Sequence, residues 1–208
     1  QGVGKFGVST IDDKSPTAWE ESWHNTANSS GGLVHSGGSG GVLGYSNSMG
    51  GFDLTVEYAP SITTADNGDG VAGGDNTSLA NGSNINFAIN NSSLVDGLTF
   101  GLGAGESEYD DESVAGRENG SSSVAYANYT MGSITAGITI SDTANTRSAT
   151  AVNTNTGGRE VEAYGVSMAV NDNLSISYNE HNMTYRKQGA GPDVEQQATG
   201  IAIAYTMG

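Results

Sequence analysis

Apolar residues recur at every second position through most of the chain. In FDLTVEY the apolar set is Phe52, Leu54, Val56 and Tyr58, separated by Asp53, Thr55 and Glu57. NINFAIN sets Ile85, Phe87 and Ile89 against Asn84, Asn86, Ala88 and Asn90. The alternation continues in LTFGLGAG from Leu98, ITAGITI from Ile134, YGVSMAV from Tyr164, LSISY from Leu174 and IAIAYTM from Ile201. A period of two belongs to the β-strand, whose successive side chains point to opposite faces, whereas a helix would space its apolar residues by three and four. The pattern predicts an all-β chain of about ten strands, near 2–10, 40–47, 52–60, 84–90, 97–108, 122–131, 133–143, 160–170, 173–186 and 194–207.

The connections sort by length. Tight turns rich in Asn, Asp, Ser and Gly fall at 47–51, 90–97, 131–133 and 171–173. Between them lie long polar loops at about 12–39, 61–83, 110–121, 145–158 and 187–193. Short and long connections in alternation are those of an antiparallel up-and-down barrel with its short turns at one end. A Greek-key sandwich would not sort its connections this way.

The second face of these strands is mostly Gly, Ser, Thr, Ala and Asn, with few charges in mid-strand. A soluble sheet packs its apolar face inward and turns Lys, Arg and Glu to water. A transmembrane barrel instead turns apolar residues to lipid and lines a wet interior with small polar ones, which fits this composition better. Tyr58, Tyr129, Tyr178 and Tyr205 lie at or near strand ends, where an interfacial aromatic girdle is expected; tyrosines there are also ordinary in soluble β proteins.

Composition narrows the function classes. With 208 residues the expectation is a single domain, 1–208. Seven basic residues against 23 acidic ones give a formal charge of -16, which repels nucleic acid. There is no cysteine for a disulfide framework and no apolar run of the roughly 18 residues a membrane helix needs.

No enzyme chemistry assembles. GGSGG at 37–41 matches a nucleophile-elbow pattern around Ser39, but a strand-like segment follows it where that motif requires a helix. His24, His35 and His181 lack metal-ligand spacing, and a solvated surface role is expected for each. No cofactor is expected, with calcium at the loops as a minor reading: Asp66, Asp69 and Asp75, and Asp110 and Asp111, concentrate oxygen donors among glycines or other acids without EF-hand spacing.

Four stretches, GGFDLTVEYAP, YTMGSITAGITISDTA, YGVSMAVNDNLSISYNEH and VEQQATGIAIAYTMG, read as successive hairpins with short turns. In order and spacing the chain resembles bacterial outer-membrane porins, in particular the glycine-rich acidic type of marine alphaproteobacteria. The resemblance implies a water-filled channel in the outer membrane for passive diffusion of small hydrophilic solutes and ions. It also implies contact with membrane lipid and lipopolysaccharide, and a homotrimer. Such barrels close with about sixteen strands, so this chain is expected to be an internal fragment lacking the first and last strands.

In that register 12–39 is the infolded loop that narrows the pore. SPTAWEESW carries a helix-start pattern, with Ser15 as cap, Pro16 in the first turn, and Glu20 and Glu21 following. Trp19 and Trp23 would then share one helix face and anchor the loop to the inner wall. Expected pore liners are Asp12, Asp13, Glu20 and Glu21 on the loop and Lys5 and Glu57 on strands, with a mild cation preference. The alternative from another class is a secreted or surface-exposed Gly/Asn-rich β adhesion module that binds calcium.

Overall fold

The computed structural model describes residues 6–11, 14–19, 21–22, 33, 42–60, 81–109, 119–144, 158–186 and 191–207. Among them are nine strands: β1 (Leu43–Met49), β2 (Phe52–Ala59), β3 (Asn81–Asn91), β4 (Leu98–Tyr109), β5 (Gly120–Met131), β6 (Ile134–Ala144), β7 (Arg159–Asn171), β8 (Leu174–Tyr185) and β9 (Val194–Tyr205). They form one antiparallel sheet in strict sequence order from β1 to β9. The fold is therefore all-β and up-and-down, and its two outermost strands are not paired with each other.

Each short turn fixes the register of its hairpin. Met49 pairs with Phe52 across Gly50 and Gly51, whose φ values of 61° and 82° are those a two-residue hairpin turn demands at both central positions. At 171–174 the Asn171 side-chain oxygen accepts hydrogen bonds from the Asn173 and Leu174 amides at 2.9 and 3.0 Å, an Asx turn that reverses β7 into β8. Asn91 does the same for Ser93 and Leu94 after β3. These turns, with 132–133, stand at one end of the sheet; the strand ends that lead into the long connections stand at the other.

The expected first strand, near 2–10, is corrected. Gly7–Ile11 is a 3-10 helix, so the described residues hold nine strands rather than ten. Local bonds explain the change. Ser9 Oγ donates to the Phe6 carbonyl at 2.6 Å and Thr10 Oγ1 to the Gly7 carbonyl at 2.8 Å, drawing the backbone into a tight coil instead of a ladder.

Polarity is distributed opposite to that of a water-soluble sheet. The buried face carries Asn84 and Asn86 on β3, Thr139 and Ser141 on β6, and Asn179 and His181 on β8. The other face leaves Ile138, Val166, Tyr178, Ile201 and Ile203 exposed, the last two at 77% and 66%. The buried apolar cluster is small: Val8, Ile11, Leu33, Ala88 and Val124, with Tyr126 against it. Among the described residues no helix is long and apolar enough to cross a membrane.

Candidate functional site

The polar face is crossed from strand to strand by one segment, described at residues 6–11, 14–19 and 21–22, which we call the strap. It visits the strands nearly in order. Phe6 lies against Gly44 on β1, and Thr10 Oγ1 is 3.5 Å from Thr55 Oγ1 on β2. The Val8 amide donates to Asn86 Oδ1 on β3 at 2.9 Å, and the Val8 side chain packs where Gly103 of β4 leaves room. Asn128 Nδ2 on β5 donates to the Lys14 carbonyl at 2.7 Å. Pro16 sits over Gly165 of β7 and accepts from Asn179 Nδ2 of β8 at 2.9 Å. Ser22 ends the crossing over Gly200 of β9.

Glycine is required at one of these crossings by the close approach of the strap's backbone. A Cβ added at Gly165 would lie 2.5 Å from the Pro16 carbonyl oxygen and 2.9 Å from its ring, closer than side-chain carbons come. The sparse second face seen in the sequence thus makes room for the strap's backbone.

Side-chain amides and carboxylates hold the strap down. Glu57, fully buried on β2, accepts from Asn86 Nδ2 at 2.9 Å, and that amide also donates to Asn84 Oδ1. At the far end Glu21 Oε1 accepts the Ser15 amide at 3.0 Å while Glu21 Oε2 lies 3.2 Å from His181 Nε2. Both side chains are almost wholly excluded from solvent. Lys14 places its ammonium 5.6 Å from the centre of the Tyr126 ring, within cation–π range, and Tyr126 donates its hydroxyl to Asn90 Oδ1.

Several sequence expectations are corrected here. The residues described between 14 and 22 are not helical, because the Pro16 carbonyl and the Ala18 amide bond to Asn179 and Ser177 of β8 instead of closing helical turns. Trp19 is 75% exposed and so does not anchor the strap; Pro16, Ala18 and Glu21 do that. His181 is fully buried beneath the strap rather than solvated. Glu21 and Glu57 are buried between strap and sheet, where they brace the strap. Lys5, Asp12, Asp13, Glu20 and Trp23 lie outside the described residues, as do His24, His35, Ser39, Asp66, Asp69, Asp75, Asp110 and Asp111. Among the described residues no group of three or more His, Asp or Glu side chains is placed to hold a metal ion.

Sequence reasoning missed His181 and Asn179, although a signal was present. Extending the alternation of β8 past Ser177 puts Asn179, His181 and Met183 on one face, the face now seen to be buried.

The opposite face divides into two zones. Nearest the short turns, successive outward positions are apolar: Leu98, Phe100, Leu102 and Ala104 on β4; Ile134, Ala136, Ile138 and Ile140 on β6; Val170, Met168, Val166 and Tyr164 on β7. Beyond them the same face turns acidic, with Glu106, Asp142, Glu162 and Glu180 next in line. Tyr164 and Tyr178 mark the border and donate their hydroxyls to Glu162 and Glu180 at 2.8 and 3.4 Å. Just past β8, Arg186 bonds Asp142 and Glu160, and these hydrogen bonds, Asp142 foremost, raise its pKa above the ordinary arginine value.

Comparison with protein-family models gives no match, and comparison with curated proteins gives none either.

Proposed function

We propose that this chain is wall and constriction of a porin-type channel: a water-filled transmembrane β-barrel of a bacterial outer membrane, passing small hydrophilic solutes and ions down their gradients. The observation that carries the reading is the inverted polarity of the sheet. Its exposed face is an apolar band bordered by tyrosines and then acids, while its covered face is polar. In water that arrangement leaves a large apolar area unburied on every strand; against lipid the same area is solvated and the polar face lines the wet side.

The strap supplies the narrowing. Lying across the polar face at the cost of lumen width, it reduces the space for solutes without a separate domain, and size exclusion follows from its thickness. Among the described residues, most of the acids do not line the lumen on this reading. Glu106, Asp142, Glu160, Glu162 and Glu180 point outward with the apolar band, and Glu21 and Glu57 are held between strap and sheet. The mild cation preference expected from Asp12, Asp13 and Glu20, which lie outside the described residues, belongs to the same proposal. The homotrimer and the lipopolysaccharide contact belong to the same proposal through the resemblance.

Planar-bilayer conductance with the protein refolded in detergent tests the reading. Stepwise ohmic currents, with a small reversal potential in a salt gradient, are expected. A chain that stays soluble without detergent and carries no current would overturn it in favour of the adhesion module.

A further inference from the structure

The outward face carries a groove of about 550 Å³ where its apolar band meets its acidic zone. Small side chains make it: Ala104 on β4 and Ser123 and Ala125 on β5 leave a trough between the larger Leu102 and Ile140. The inward-pointing neighbours Val124 and Val161 are buried on the strap side, so the opening is on the outer face. Above the apolar floor stand Asp142, Glu160 and Glu162.

Charge decides the occupant. Arg186 is shared between Asp142 and Glu160, so that trio keeps one negative charge, and Glu162 adds another with a hydroxyl from Tyr164 as its neutral partner. Among the described residues the lining presents no basic side chain. An anionic headgroup would meet uncompensated carboxylates at the edge of a low-dielectric zone, whereas an ammonium would find charge-assisted acceptors above a slot for its chain.

We propose that this groove holds a membrane amphiphile with a primary ammonium headgroup, its alkyl chain along Leu102, Ala125 and Ile140 and its ammonium against Glu162 and Glu160. The inference rests on the membrane-embedded reading above, since only then is the outer face in contact with lipid. It assigns the outer face a ligand class of its own, separate from any solute in the lumen.

Native mass spectrometry of the refolded protein released from neutral detergent provides the test, with dodecylamine, dodecanoate and dodecanol as equal-chain probes. One retained dodecylamine is expected, at least tenfold more abundant than retained dodecanoate. Glu162→Gln should bring the amine-to-acid ratio close to one, and Ala125→Phe, which fills the slot, should abolish retention of all three. Equal retention of amine and acid by the unaltered protein, or undiminished amine retention in both variants, would overturn the proposal. Folding of each variant is checked by gel mobility before and after heating, and if one misfolds the other decides. Liposome flotation separates the two levels of inference. A protein that floats but shows no amine preference loses only the groove, while one that does not float loses the membrane reading as well.

Discussion

Glu21 and His181, 160 positions apart in the chain, meet at 3.2 Å with both side chains shut away from water. The contact ties the strap to β8 while the second oxygen of Glu21 holds the Ser15 amide, so one carboxylate fixes both the strap's own bend and its seat. His181→Ala should therefore cost about 1–3 kcal/mol, because it leaves a buried carboxylate oxygen without its partner. His181→Gln keeps a donor and should lose less. Chemical denaturation of the two variants in the same detergent checks the order. Equal losses would mean that the hydrogen bond is not what holds the strap.

Gly165 tests the strap's seat from the wall side. Gly165→Val puts carbon where the Pro16 carbonyl lies, and overpacking of this kind typically costs about 1–3 kcal/mol unless the intruded segment leaves. Lifting of the strap is the expected relief, since the sheet is held on both sides of β7 by full ladders. Protease nicking within 12–22 should accelerate, and single-channel conductance should rise. Gly132→Ala, whose added carbon would meet nothing within 4 Å but whose φ is 60°, should strain its turn and leave nicking and conductance unchanged.

The apolar band makes a prediction with opposite signs under the two functional readings. Ile138 sits midway along the band on β6, between Ala127 of β5 and Tyr164 of β7. Facing lipid, Ile138→Arg should destabilise the protein by about 2–4 kcal/mol and depress folding into liposomes. On a water-soluble adhesion module the same change would improve solubility and leave folding intact. Folded yield in liposomes against yield in buffer distinguishes them.

Band height sets a preference for membrane thickness. From Leu98 to Ala104 the apolar outward positions span about 20 Å of strand at the usual rise per residue. Mismatch between hydrophobic height and bilayer thickness costs fractions of a kcal/mol per Å, so folding should be more complete in dilauroyl than in dioleoyl phosphatidylcholine vesicles. Indifference to chain length would mean that the outward face is not what meets the acyl chains.

The strands were legible because each residue's face is decided by parity alone. Once Phe100, Leu102 and Ala104 are assigned to one side, Gly101 and Gly103 follow on the other, and Asn or Gly at the turns then sets the register. The strap's individual contacts were not legible for the complementary reason. Its contacts pair residues such as Pro16 with Asn179 and Val8 with Asn86, which no period links, and the helix-start pattern at Ser15 and Pro16 describes a local preference that β8 outcompetes for the backbone groups. Trp19 shows the limit of reading anchors from size. The largest side chain of the strap points away from the wall while small polar groups make the attachment. Polar-face residues under the strap were visible as small and polar, but no period in the sequence marks which of them the strap covers.

Because the strap touches β1 at one end and β9 at the other, its seat exists only after the whole sheet has assembled. The far-end contacts, Pro16 with Asn179 and Glu21 with His181, close loops of more than a hundred and fifty residues, against 78 for Val8 with Asn86, so docking of that end is expected to come late in folding. Refolding followed by tryptophan fluorescence and by far-UV circular dichroism is expected to show the sheet signal complete before the polar face is covered. Trp19, one of only two tryptophans, lies on the segment that covers it.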